Sequence, residues 1–119
     1  MRPLVLALLA AALLAIAAAP ADAAFTSCAP ITNVSQLNGT RFAGSDIFRI
    51  RTQGVSCTTA RGVARGATLR ALGITPPVSG IKRFRYQSWA ISDNLRGDDD
   101  RYTATGSGAK RITWLFGDA

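Results

Sequence analysis

The sequence predicts an α+β domain. One helix packs on one face of a mostly antiparallel sheet of about four strands, and one disulfide fastens the two. Three observations carry this reading. Several segments alternate apolar with basic or polar residues at a period of two. One segment among them repeats small apolar residues at a helical period. Only two cysteines occur, Cys28 and Cys57.

The front of the chain sets the context. Met1-Arg2 precedes an apolar run from Leu4 to Ala19, and Pro20-Ala21-Asp22-Ala23 follows. A charged start, an apolar stretch shorter than a membrane span and an A-x-A exit read as a signal peptide, residues 1–23, cleaved after Ala23. Residues 24–119 then form a single small secreted domain, either released or associated with the cell envelope. In an oxidising compartment an even cysteine count reads as a bridge, so Cys28 and Cys57 are expected to pair.

The elements follow in order. Residues 25–45 are turn-rich, with one short extended stretch expected near Thr40–Phe42. Asp46 to Thr52 alternates as a strand, and Gly54 ends it. Val55 to Leu72 reads as a helix with Ser56 as its N-cap. Cys57, Ala60, Ala64, Ala67 and Ala71 share one face, with Val63 beside them. Gly73 and Pro76-Pro77 mark its exit. Ile81–Ile91, Asp100–Thr105 and Lys110–Phe116 are the remaining strands. Ser92–Asp99 is expected as a solvated loop and Gly106–Ala109 as a tight turn.

Alternation also assigns faces. Phe48 with Ile50, Phe84 with Tyr86, Tyr102 with Ala104, and Ile112, Trp114 and Phe116 are expected on the inner face, under the helix. The outer face then carries Arg49, Arg51, Arg83, Arg85, Arg101 and Arg111. Trp89 falls on the arginine side, which makes it either an exposed stacking aromatic or the sign of a bulge.

The segment from Ile50 through Gly54-Val55-Ser56-Cys57 to Ala60, Val63 and Ala64, with the closing stretch Lys110–Trp114, resembles small exported actinobacterial proteins of uncharacterised function. In these a strand runs into G-V-S-C-x-x-A-x-x-V-A at the start of a helix. The resemblance covers about half of the mature chain and implies a strand–helix–sheet fold and no activity. Family members commonly carry a second cysteine pair; here Trp89 and Gly106 stand near those places.

Composition excludes most hydrolytic chemistry. The chain has 14 Lys and Arg against 7 acidic residues, a net charge of +7, and no histidine. All seven acids are aspartates. Ser-His-Asp and Cys-His catalysis lack their base, and two thiols alone do not complete a zinc shell. Neither a metal nor another cofactor is expected, and the domain reads as non-enzymatic. Asp93 to Asp100 is rich in oxygen ligands, yet its spacing departs from the calcium-loop pattern. The arginines of the outer face are the candidate anion-binding residues, since a guanidinium pairs bidentately with phosphate or carboxylate. The expected partner is an anionic envelope polymer or a membrane surface; nucleic acid is not expected as the physiological partner. The alternative is a protein-binding module, inhibitor- or effector-like, that uses an exposed Pro76-Pro77 loop.

Overall fold

In a computed structural model, residues 24–73, 80–96 and 99–117 are described. The expected signal peptide and the Pro76-Pro77 loop lie outside them. The chain order is β1 (Thr26–Ser27), β2 (Asp46–Gln53), α1 (Cys57–Leu72), β3 (Gly80–Tyr86), β4 (Trp89–Arg96), β5 (Asp99–Thr105) and β6 (Arg111–Gly117). A single turn of 3-10 helix, Ser35–Leu37, precedes β2. The sheet has six strands rather than about four, in the order β1-β2-β6-β5-β4-β3, with every neighbouring pair antiparallel. The α+β architecture with one helix on one face stands.

Two expectations about strands are corrected. Ile81–Ile91 is not one strand but two, because a two-residue turn at Gln87-Ser88 folds it into a hairpin with Tyr86 opposite Trp89. Gln87 takes φ +53°, a conformation that glycine or asparagine usually supplies, so composition gave no turn signal. The extended stretch near Thr40–Phe42 is a series of turns, with Thr40 N–H donating to Leu37 O at 3.0 Å and Ala43 N–H to Thr40 O at 3.1 Å. The additional edge strand is β1, where Thr26 and Ser27 pair with Thr52 and Arg51.

The helix forms where its signals lie. Ser56 Oγ accepts the Thr59 N–H at 3.2 Å, as an N-cap should. Ala60, Val63, Ala64, Ala67, Thr68 and Ala71 face the sheet and are buried. Small side chains let the helix approach closely, and a Cβ added at Gly66 would fall inside the Tyr86 phenol. The Cys28–Cys57 bridge, with Cα atoms 5.5 Å apart, ties the chain just after β1 to the first residue of the helix. Closing that loop contributes about 3.5 kcal/mol in the chain-entropy account. The bridge is consistent with a secreted or extracellular protein.

Between helix and sheet lie Ile47, Ile50, Trp89, Ile91, Tyr102, Ala104, Ile112, Trp114 and Phe116. Tyr102 and Trp114 stack, with ring centroids 5.2 Å apart and planes 5° from parallel. The 31–45 loop closes one end of this layer: Val34 and Leu37 are buried, and Phe42 meets Phe116 at 6.3 Å.

Candidate anion-binding face

The outer face is built by strand alternation plus one irregularity. Phe48 opposes Leu115 and Arg51 opposes Thr113, so Arg49 and Ile50 together face Trp114 across a β-bulge. Arg49 adopts φ +50° there. The bulge corrects the expected phasing of β2. Ile47 and Ile50, not Phe48 and Ile50, enter the core, and Phe48 is half-buried outside it. Arg49 and Arg51 remain on the outer side.

Arg49 and Arg51 from β2, Arg111 from β6 and Arg101 from β5 line one open groove of about 440 Å³, together with Phe25, Thr103 and Thr113. Arg51 lies 5.5 Å from the Phe25 ring centroid, in cation–π range. Arg83 and Arg85 are also exposed on this face, but on β3 at the opposite edge. They line a second groove of about 420 Å³ with Ser92 and Thr105. The six predicted arginines thus form a set of four and a set of two on one face. None of the six forms an ion pair with a carboxylate among the described residues. Asp46 accepts the Asn33 N–H at 2.5 Å, at the start of β2.

Trp89 is not part of this face. It is 6% exposed, points under the helix, and packs on Gly106, where an added Cβ would come within 2.9 Å of its ring. The hairpin at Gln87-Ser88 reverses its side, and this overturns the stacking role expected for it. The aromatic beside the arginines is Phe25, which sequence reasoning passed over. Its only local signal is that it stands one residue before a strand too short to show alternation.

The expected acidic loop is also corrected. β4 runs to Arg96 and β5 starts at Asp99, so Asp93 lies within a strand and is 1% exposed. Its cross-strand partner is Tyr102, itself fully buried. Burial, then the neighbouring charges of Asp93 and Asp100, push the Tyr102 hydroxyl far above the ordinary tyrosine range. Among the described residues no group of three or more His, Cys, Asp or Glu side chains is arranged to hold a metal ion. No helix among them is long and apolar enough to cross a membrane.

No family model matches the chain, and no curated protein or solved structure was found that matches it.

Proposed function

We propose that this chain is an exported, non-enzymatic domain that binds anionic polymers of the cell envelope through the outer face of its sheet. The observation that supports this most is the convergence of Arg49, Arg51, Arg101 and Arg111, from three adjacent strands, on one groove. A concentration of guanidinium groups on a rigid sheet attracts polyanions and pairs with their oxyanions bidentately. The sheet fixes the backbone positions from which these exposed arginines project, so binding orders their side chains and not the strands that carry them. The likeness to exported actinobacterial proteins, carried by the Gly54–Ala64 segment, accords with an envelope setting.

The test is a salt series. Disulfide-bonded protein is titrated with anionic wall polymer, anionic vesicles and nucleic acid, beside an Arg49/Arg51/Arg101/Arg111→Ala variant and an Arg70→Ala control on the helix. Saturable binding to wall polymer at physiological salt, lost in the quadruple variant and kept in the control, is the expected result. Indiscriminate binding that vanishes by physiological salt, or equal loss in both variants, overturns the proposal.

A further inference from the structure

Strand register places the two grooves on one line. Arg51 opposes Thr113, Thr113 opposes Thr103, Thr103 opposes Ser92, and Ser92 opposes Arg83. All five belong to the outer face, so one row crosses five strands with an arginine at each end and three hydroxyls between. Four interstrand steps of about 4.8 Å make the row about 19 Å long. Thr103 lines the first groove and its partner Ser92 the second, so the grooves abut along this row. No protein hydrogen bond engages the hydroxyls of Thr103, Thr113 or Ser92 among the described residues. The next row holds Arg111, Thr105 and Arg85, and the row on the other side holds Arg101 and Asn94.

We infer that the two grooves form a single binding track across the strands, and that its ligand is a linear polyanion carrying free hydroxyls along its backbone, such as a phosphodiester-linked polyol. The inference rests on the anion-binding reading and specifies its ligand. Arginines at both ends take the phosphates, and hydroxyls between them donate to and accept from the hydroxyls of the chain. A polyanion without hydroxyls satisfies only the arginines. Single-stranded nucleic acid needs a succession of aromatic platforms. On this face Phe25 stands beside Arg51 at one end of the row, Phe84 borders the second groove but is half-buried and packed against the core, and Trp89 is buried.

The probes are a polyglycerol phosphate chain long enough to span about 19 Å, inorganic polyphosphate of equal charge, and monomeric glycerol phosphate. All are titrated calorimetrically at physiological salt, with fold checked by near-ultraviolet circular dichroism of the Tyr102–Trp114 pair. The polyglycerol chain is expected to bind about ten-fold more tightly than polyphosphate, and a Ser92→Ala/Thr103→Val/Thr113→Val variant is expected to abolish that preference. Arg83→Ala is expected to weaken the chain about ten-fold and the monomer by a much smaller factor, since the monomer also has the arginines of the first groove. Equal affinity for both polymers, lost in the Arg49/Arg51/Arg101/Arg111→Ala variant, overturns the track and leaves the anion-binding reading standing. Tighter binding to anionic vesicles or single-stranded nucleic acid than to the polyglycerol chain also overturns the track. Binding of no polyanion by wild type removes both.

Discussion

Trp114 Nε1–H donates a 2.9 Å hydrogen bond to Thr68 Oγ1, 46 residues earlier in the chain. Both side chains are buried, at 1% and 0% exposure. The bond therefore locks the helix to the central strand β6 at one register, in a place where water offers no substitute. Thr68→Val keeps the shape and leaves the indole N–H unpaired. It is expected to lower stability by about 2 kcal/mol in urea unfolding, whereas Thr68→Ser retains most of the bond. Equal stability of the Val and Ser variants contradicts this role.

Gly62 and Gly66 lie one turn apart in α1, and each weakens an isolated helix by about 1 kcal/mol relative to alanine. Their surroundings differ. A Cβ at Gly62 meets nothing within 4 Å, while one at Gly66 runs into the Tyr86 phenol. Gly62→Ala is expected to raise the thermal midpoint. Gly66→Ala is expected to lower it, because displacing Tyr86 outweighs the gain in helix propensity. The two midpoints, measured side by side, decide the point.

Arg49 is an arginine at φ +50°, where glycine carries no steric penalty. Arg49→Gly is expected to stabilise the fold by about 1 kcal/mol in denaturant unfolding, and at the same time to weaken polyanion binding. A gain in stability paired with a loss of binding marks Arg49 as a strained position whose side chain serves the groove. If Arg49→Gly loses stability, the bulge is held by the arginine side chain instead.

The Tyr102 hydroxyl is raised above its ordinary value of 10.0 by burial first, and then by the Asp93 and Asp100 charges. A folded-state pKa above the unfolded one favours the neutral form in the fold. Its contribution is fully present below the unfolded pKa and is lost as pH rises from there toward the folded pKa. Unfolding free energy is therefore expected to hold level up to about pH 10 and then to fall by up to about 1.4 kcal/mol per pH unit. Tyr102→Phe is expected to flatten that decline. A decline of the same steepness in the variant assigns it to other groups.

Much of the architecture is legible along the chain because its causes are local. Side-chain alternation placed Arg83 and Arg85 outside and Phe84 and Tyr86 inside, and the structure agrees. Ser56 capped the helix, and the alanine face turned inward as its spacing required. What alternation missed were phase changes. The bulge at Arg49 exchanged Phe48 for Ile47 in the core, and the turn at Gln87-Ser88 carried Trp89 from the arginine side to the interior. Both use residues with no intrinsic preference for positive φ, so pairing with the neighbouring strand imposed the conformation.

The sequence by itself determined the helix, the parity of the arginines and a single possible disulfide, because each depends on neighbours in the chain or on a count. Tertiary structure decided which arginines share a groove, that Asp93 is buried beside Tyr102, and that Phe25 stands beside Arg51. These depend on strand order. β6 inserts between β2 and β5 and brings Arg111 between Arg51 and Arg101, an adjacency set by which edges find partners rather than by any residue's own preference.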